Sequence, residues 1–213
     1  MCGRFFLQAK LGEVGALFET STDDAEDLGP RDEIFPTDPM LAVTSDTARH
    51  LGTMHWGMLV TGWASDPRSA SPTLIRHARA ETVFEKPTFR DAGRCVLPVS
   101  GWHDWAANGD AKIKLRFTAA SEPILALAAV WRSGTAKDGT PVDQFAVITC
   151  GPNAEIAEVH HRMPAIIPIS QIDAWLHGDK SEVSQLLRPA PDGLITIEDA
   201  APRPPQSEQL SLF

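Results

Sequence analysis

The sequence feature that most constrains the fold is a series of short segments with the patterns of β-strands. Residues 111–119 (AKIKLRFTA) alternate apolar with charged side chains, the pattern of a strand that is buried on one face only. Residues 123–131 (PILALAAVW) and 143–150 (DQFAVITC) are almost continuously apolar, which is typical of central strands. Further strands are predicted over 39–46 and 53–60 and at the start of 94–105.

The helical signals are fewer and shorter. A helix is predicted over 170–178, with Ser170 as its N-cap and Gly178 at its end. The composition also predicts a helix at the start of 77–92, which Pro87 should end or break. Apolar residues at helical spacing predict two more helices, over 10–19 and 153–161.

The remaining segments have the composition of loops and tails rather than of a buried core. The acidic run 20–33 is expected to be a loop, and the Pro-rich chain from 188 an extended tail. Many strands with only short helices predict an α+β fold, a single domain built on a mostly antiparallel, curved or barrel-like sheet with short flanking helices. We expect this domain over 1–205, followed by a tail at 206–213.

The cysteines and the apolar runs bear on the compartment. The chain has three cysteines, Cys2, Cys95 and Cys150, and an odd, widely spaced set argues against a disulfide framework and for a reducing compartment. No basic segment followed by an apolar run is found at the start, and the longest apolar stretch is too short to span a bilayer. We therefore expect a cytoplasmic protein that does not enter the membrane.

The charge distribution leaves nucleic acid open as a partner. The formal net charge is −9, which by itself argues against a polyanionic ligand. Most of the acidic excess, however, lies in two segments, 19–33 and 171–213, whereas 76–94 contains five lysines and arginines against three acids. A basic groove inside an acidic protein is therefore compatible with the composition.

The motifs exclude several cofactor classes. The sequence has no H-x-x-x-H or C-x-x-C spacing, so a zinc site is not expected. It also has no G-x-x-x-x-G-K-[ST] or G-x-G-x-x-G loop for a nucleotide phosphate. We expect neither a metal nor a cofactor.

Three internal segments are candidates for chemistry because they place titratable residues beside aromatic or apolar ones: 75–82 (IRHARAET), 94–105 (RCVLPVSGWHDW) and 158–167 (EVHHRMPAII). Within them, Asp104 is a candidate general acid and His160 a candidate base. Each also has a structural interpretation, Asp104 as a turn or capping residue and His160 as the residue that ends a helix. Arg79 could equally pair with Glu81 or Glu85.

Taken together with the start of the chain, these segments resemble the SOS response-associated peptidase family, whose members are also called abasic site processing proteins. The matching segments follow one another in order: MCGRF, 56–67 (WGMLVTGWASDP), 78–82 (ARAET), 87–105 (PTFRDAGRCVLPVSGWHDW) and 160–167 (HHRMPAII). The resemblance implies a DNA damage response protein that binds single-stranded DNA and cross-links covalently to abasic sites.

The resemblance assigns the reaction to Cys2, exposed when Met1 is removed. The chemistry of such a residue supports the assignment, because an α-amine has a pKa of about 7.7–8 and is partly neutral at pH 7. It can attack the aldehyde of an opened abasic site and lose water to form a Schiff base. The thiol then adds to the same carbon and closes a five-membered thiazolidine. A lyase-type incision through the Schiff base, and autoproteolytic removal of Met1, are implied as secondary activities.

The resemblance also implies roles for further residues. The family histidine that moves protons on the sugar matches His160, the family glutamate falls on Asp104, and the family asparagine falls on His77. The implied DNA contacts are arginines that would hold phosphates and tryptophans that would support or stack on a splayed strand: Arg4, Arg79, Arg162, Trp56 and Trp63.

Two of these positions depart from the family pattern. Asp104 is one methylene shorter than glutamate, and a shift of about 1 Å can cost on the order of 100-fold in rate. His77 is bulkier than asparagine and can become charged. The two changes could compensate each other, His103 or His77 could take over proton transfer, or the chain could be a divergent paralogue with altered chemistry.

The last residues, 209–213 (QLSLF), resemble the short bacterial motif that binds the replication sliding clamp. Leu212 and Phe213 would fill an apolar pocket of the clamp, with Gln209 making polar contacts beside it. The alternative is a tail that folds back on the domain.

Three functions therefore remain open at this point. The first is an abasic-site cross-linker that acts through Cys2. The second is a thiol peptidase with Cys2 as nucleophile and His160 as base, acting either on other peptides or only on the chain's own Met1. The third is a non-catalytic module that binds single strands or the clamp.

Overall fold

The computed structural model describes residues 3–60, 73–108, 111–135 and 139–200. Its strands are β1 (Arg4–Leu7), β2 (Arg31–Ile34), β3 (Pro39–Ser45), β4 (Arg49–Trp56), β5 (Met58–Val60), β6 (Thr73–Ile75), β7 (His77–Arg79), β8 (Gly93–Val99), β9 (Gly101–Asn108), β10 (Ala111–Ala119), β11 (Leu125–Thr135), β12 (Pro141–Cys150), β13 (Met163–Pro164) and β14 (Ile195–Asp199). Its helices are α1 (Leu11–Phe18), α2 (Ala154–Ala157), α3 (Ile172–His177) and α4 (Lys180–Leu186), with 3-10 turns at Pro87–Phe89 and Ile169–Gln171.

Five strands close into a barrel. The order β11-β8-β3-β4-β12 returns to its start, because β12 also pairs with β11 over seven residue pairs. The pairs are antiparallel except for β12 with β4, and β7 and β13 extend the sheet from β12. Closure explains the apolar runs of β8, β11 and β12, since a strand with neighbours on both sides and a core against it carries few polar side chains.

The second sheet has the order β14-β10-β9-β1-β2 and all its pairs are antiparallel. It packs one face on the core, where Phe5 contacts Trp56 of β4 with ring centroids 4.5 Å apart. On the same face Trp102 stacks on Phe117 at 4.9 Å, as their register partnership across β9 and β10 requires. The alternation predicted for 111–119 therefore has a direct counterpart, with the fully apolar side of β10 turned toward the core and Phe117 1% exposed.

This architecture confirms the predicted α+β fold of mostly antiparallel strands with few short helices. The helix predicted over 10–19 is α1, and Gly178 ends α3 as expected. The predictions of strands at 39–46, 94–105, 111–119, 123–131 and 143–150 are also confirmed. None of the helices in the described ranges is long and apolar enough to cross a membrane.

Several local predictions were wrong, and tertiary pairing explains most of them. The expected helix at the start of 77–92 is β7, because its backbone pairs in parallel with β12 from Val147 to Thr149. Pro87 begins a 3-10 turn there rather than ending a helix. The predicted strand 53–60 is interrupted at Gly57, whose φ of +123° and approach to Leu74 suit only a residue without a side chain.

Other boundaries moved. The acidic run 20–33 contains β2, which pairs with β1. Helix α2 ends at Ala157, four residues short of the predicted end, and α3 begins after a 3-10 turn with Gln171, not Ser170, at the N-cap. Within the segment expected to be an extended tail, residues 195–199 form β14, paired with β10.

Candidate functional site

The candidate site is assembled around the end of β12. Thr149 is completely buried and pairs with Arg79 of β7 on one side and with Pro164 of β13 on the other. The amide of Ala80 donates to the Thr149 carbonyl at 2.9 Å, and the guanidinium of Arg162 donates to the same carbonyl. One strand end thus positions two arginines that are far apart in the sequence.

Arg162 is held in a fixed orientation by a carboxylate. Both terminal nitrogens of its guanidinium donate to the two oxygens of Glu81, an arrangement that matches the planar fork to the carboxylate. These hydrogen bonds hold the pKa of Glu81 below its usual value, and the charge of Arg79 adds to the effect. The partner of Glu81 is therefore Arg162, an interaction that the sequence did not indicate.

The two arginines line an open groove of about 500 Å³. Its lining residues are Arg79, Glu81, Thr82, Lys86, His161 and Arg162. Lys86 and His161 had not been assigned roles. The sequence signal that could have found Lys86 is the local excess of basic residues in 76–94.

His160 is oriented by its neighbour in the chain. Nδ1 of His160 lies 3.0 Å from the Arg162 amide nitrogen and 3.1 Å from the Arg162 carbonyl oxygen, so it accepts from the amide in one tautomer and donates to the carbonyl in the other. Burial lowers the pKa of His160, and the negative charge of Asp104 opposes this shift without reversing it. The ring also stacks on His161, with centroids 4.4 Å apart. His160 is therefore a neutral imidazole at pH 7, able to accept or pass on a proton.

Asp104 lies in β9 on the face directed toward the core. It is 7% exposed, and its Oδ1 accepts a hydrogen bond from the Trp105 amide at 3.0 Å. The start of the chain is anchored beside it, since the Gly3 amide donates to the His103 carbonyl at 3.1 Å. A Cβ on Gly3 would lie 2.7 Å from the Trp105 ring, so only glycine allows this close approach.

His77 and Trp56 form a second part of the site. The ring of His77 meets the Trp56 ring edge-on, with centroids 5.8 Å apart. Trp56 is completely buried, donates from Nε1 to the Arg76 carbonyl at 3.1 Å and contacts Phe5 of β1. A ring with no exposed face is not available to stack on a base, so of the two roles that the resemblance implies for Trp56 the supporting one fits its position, which is beside His77.

Arg4 lies apart from these groups. It pairs in register with His103, whose side chain points to the opposite face of β9 from that of Asp104. Its guanidinium donates to Glu33 at 2.8 Å and lies 4.4 Å from the Phe35 ring centroid. The structure thus brings Asp104 and His160 together and places Arg4 behind the strand that carries Asp104.

Three groups of predicted residues lie outside the described residues: Cys2, Trp63 and the tail 206–213, including Gln209–Phe213. The other two cysteines are buried, and burial raises the pKa of Cys95 far above its usual value and that of Cys150 to about 11. Both are therefore protonated thiols of low reactivity at pH 7. Within the described ranges, no three His, Cys, Asp or Glu side chains converge as metal ligands would.

Comparison with known proteins places this arrangement in a family. The family described as SOS response associated peptidase (SRAP) matches residues 1–201. The abasic site processing protein YoqW of Bacillus subtilis (strain 168) is 29% identical over 198 residues, covering 89% of this chain and 87% of that protein. The abasic site processing protein YedK of Escherichia coli (strain K12) is 23% identical, covering 85% of this chain and 82% of that protein.

Solved structures agree in fold. A crystal structure of a Bacteroides thetaiotaomicron protein aligns with a TM-score of 0.79 and 26% identity, covering 93% of this chain and 91% of that chain. One from Bordetella bronchiseptica aligns with a TM-score of 0.77 at 20% identity, covering 93% and 99% of the two chains. With the family match spanning nearly the whole chain, the protein belongs to the SOS response associated peptidase (SRAP) family.

Proposed function

We propose that this protein processes abasic sites in single-stranded DNA by forming a covalent cross-link through Cys2 after Met1 is removed. The observation that carries the proposal is the environment at the start of β1. Gly3, the residue bonded to Cys2, is hydrogen-bonded to β9 next to Asp104, and Asp104 acts electrostatically on the neutral His160. A nucleophile, a carboxylate and a base are thereby supplied from three separate segments. The names of the similar proteins support abasic DNA as the substrate.

The proposed reaction is balanced without a cofactor. The α-amine of Cys2 adds to the aldehyde carbon of the ring-opened sugar, and loss of one water gives a Schiff base. The thiol then adds to the same carbon, its proton passes to the nitrogen, and a thiazolidine results. The carbon is held by both nitrogen and sulfur, so release requires two bonds to break in sequence.

His160 and Asp104 are assigned the proton transfers. The neutral His160 ring can take a proton from the sugar hydroxyl as the ring opens, because its pKa is held low by burial. The Asp104 carboxylate can take a proton from the nitrogen as it adds to the aldehyde and give that proton to the departing water. His77, supported by Trp56, is assigned to contact the sugar or base from the β7 side.

The groove at Arg79, Lys86 and Arg162 is assigned to the DNA backbone. Arg79 is exposed, whereas Arg162 is already paired with Glu81. A phosphate that binds in the groove would contact Arg79 and Lys86. It would compete with the Glu81 carboxylate for the hydrogen bonds of the Arg162 guanidinium. Trp63 and Arg4 are kept as further proposed DNA contacts.

The test is a cross-linking assay with pure protein. Single-stranded and double-stranded oligonucleotides that carry one abasic site are incubated with the protein, and the products are run on a denaturing gel after heating in SDS. We expect a shifted band with the single strand, and its loss in Cys2→Ser. Cys150→Ala is the matched control and should keep the band, because that thiol is buried and protonated.

The other functions predict different results. A thiol peptidase would cleave peptides and leave abasic DNA unmodified, and a non-catalytic module would bind DNA without a heat-stable band. A shortened DNA product would reveal lyase-type incision. Intact mass of the purified protein shows whether Met1 is absent, and its retention would block the α-amine and contradict the proposal.

We also propose that the tail 206–213 binds the replication sliding clamp through Gln209–Phe213. The support is the QLSLF sequence alone, preceded by a Pro-rich stretch that would hold it away from the domain. Deletion of 209–213 should abolish co-migration with the clamp in gel filtration and leave cross-linking intact. Such a protein would act in the cytoplasm on the nucleoid, as a monomer at the lesion.

A further inference from the structure

A row of cations crosses the face of the second sheet that is turned away from the core. In β10, Lys112, Lys114 and Arg116 alternate with apolar residues and so share this face. The register sets Arg116 opposite His103 of β9, and His103 opposite Arg4 of β1. We call four cations and the histidine between them the cationic face: Arg4, His103, Lys112, Lys114 and Arg116.

An ion pair crosses this face of the sheet. Glu33 of β2 accepts hydrogen bonds from both Arg4 and Lys114. Two strands lie between β2 and β10, so the two backbones would be about 14 Å apart in a flat sheet, a distance that extended glutamate and lysine side chains can just span. The pair therefore reaches across β1 and β9, and we call the surface that it borders, along the cationic face, the trough. The side chains at its opening are accessible, with Arg4 31% and Lys114 27% exposed.

The positive charges of the trough exceed the negative ones. Glu33 is shared by two cations, whereas Arg116 forms no ion pair among the described residues. Glu198 lies opposite Arg116 in the register of β10 and β14, yet the two side chains do not come within ion-pair distance. Arg116 instead covers the Phe6 ring, with its guanidinium carbon 3.9 Å from the ring centroid.

The floor of the trough contains a polar atom without a partner. His103 is only 4% exposed, and no hydrogen-bond partner of its Nδ1 is present within the described ranges. Burial, and then the charges of Lys114 and Arg116, lower the pKa of His103 to about 4. The ring is therefore neutral at pH 7. An unpaired buried polar atom is unfavourable, and a bound group with a hydrogen-bonding oxygen would supply the partner that it lacks.

Aromatic rings flank the opening of the trough. The Arg4 guanidinium lies 4.4 Å from the Phe35 ring centroid and 5.0 Å from that of Trp105. Phe35 is 40% exposed, unlike the other large apolar side chains of the described residues. Cations that follow a backbone, interleaved with aromatic faces on a curved sheet, are the elements from which proteins build sites for single-stranded nucleic acid.

We propose that the cationic face binds phosphates of single-stranded DNA outside the nucleotide that reacts. The identity of the ligand rests on the proposed function. The proposed path of the DNA strand is argued from geometry. β9 carries Asp104 on one face and His103 on the other, and the Gly3 amide is hydrogen-bonded to the His103 carbonyl. A strand that leaves the reacting site passes around the start of β1 and enters the trough between Phe35 and Arg116.

The test measures non-covalent binding of an unmodified single-stranded oligonucleotide by fluorescence anisotropy at several salt concentrations. Arg116→Gln should weaken binding about fivefold to tenfold and should lower the slope of log affinity against log salt by about 0.7, the loss of one phosphate contact. Lys112→Gln should act in the same direction with a smaller change. Lys180→Gln, which removes an exposed cation of α4, is the matched control and should bind like the unaltered protein.

Several outcomes would overturn the inference: Arg116→Gln and Lys112→Gln binding with unchanged affinity and slope, or poly-glutamate displacing the oligonucleotide as well as unlabelled DNA does. If the Arg116→Gln variant does not fold, the Lys112→Gln variant alone tests the inference. Lys112 is exposed, so its replacement should not disturb the fold. A second measurement does not depend on either variant. The pKa of His103, followed by NMR, should rise on addition of the oligonucleotide, because a phosphate near the ring favours its charged form.

Failure of the cationic face as a binding surface can be distinguished from failure of the proposed function. An unaltered protein that cross-links abasic DNA, but whose Arg116→Gln and Lys112→Gln variants bind DNA normally, retains the proposed function and rejects the cationic face. A protein that never cross-links, but whose DNA affinity falls with Arg116→Gln, retains the cationic face and rejects the proposed function.

Discussion

The two faces of β9 differ in what they bury. On the face toward the core, Trp102 stacks on Phe117, and Asp104 is placed where its charge acts on His160. On the opposite face, the equally buried His103 lies among cations with one ring nitrogen unpaired. Neighbouring residues of one strand therefore have opposite electrostatic environments. The difference separates the site proposed for proton transfer from the face proposed to bind phosphates, although the two residues are neighbours in the chain.

The largest expected effect tests the packed face. Trp102→Ala removes a ring that is 2% exposed and stacked on Phe117, and we expect the free energy of unfolding to fall by about 3–5 kcal/mol in urea titrations. Phe35→Ala is the comparison at the opening of the trough. It should lower the free energy of unfolding by less than about 1 kcal/mol, because that ring is 40% exposed. Equal losses would mean that the two faces do not differ in packing.

The second prediction tests the carboxylate. Asp104→Asn should slow cross-linking to abasic single strands on the order of 100-fold at saturating DNA, the usual effect of removing a general acid or base. The rate is read from quenched time points on a denaturing gel. Asp24→Asn, an exposed change far from β9 in the sequence, should leave the rate unaltered. A normal rate in Asp104→Asn would remove Asp104 from the proton transfers.

The third prediction concerns stability at acid pH. The pKa of His103 is about 4 in the folded chain and about 6.5 when unfolded, so between these values the unfolded state binds more protons. Stability is therefore lost as the pH falls from 7 toward 4, by about 3 kcal/mol from this group. Urea titrations at pH 7, 5 and 4 should show that His103→Gln removes that part of the loss.

The control for that prediction is His177→Gln, which alters an exposed histidine of α3 and should keep the full acid dependence. The carboxylates paired with cations, such as Glu33 and Glu81, have pKa values below their usual range and add to the loss in both variants alike. Only the difference between the two variants therefore reports on His103.

The smallest expected effect concerns side-chain length. Asp104→Glu extends the carboxylate by one methylene and should raise the cross-linking rate, by less than about tenfold, if the reach of the carboxylate limits the proposed reaction. The measurement is the same quenched time course. A slower reaction in Asp104→Glu would show that the surroundings, including His77, are adjusted to the shorter acid.

The seven-stranded sheet was the more predictable part of the fold. Strands β8, β11 and β12 are buried, and burial of this kind is visible in the sequence as continuous apolar runs. The segment at 77–82 was not predictable, because its composition favours a helix whereas its conformation is set by pairing with residues 147–149. Local sequence does not record a partner that lies about 70 residues further along the chain.

The same distinction applies to the candidate site. The hydrogen bond between Arg162 and His160 joins residues two apart, so the segment EVHHRMPAII could be identified as a unit. The pair of Glu81 with Arg162 joins residues 81 apart, and the orphaned nitrogen of His103 depends on three strands at once. Neither has a local sequence pattern.

The closure of the barrel at β12 has a mechanical consequence. β12 pairs with β11 and β4 within the barrel, and its end pairs with β7 and β13. β7 contains Arg79, and β13 begins directly after Arg162. The backbones at these two positions are therefore held together by hydrogen bonds to a strand of the closed barrel. The spacing between the two arginine backbones is set by the fold itself, so any rearrangement there is limited to their side chains unless those hydrogen bonds break.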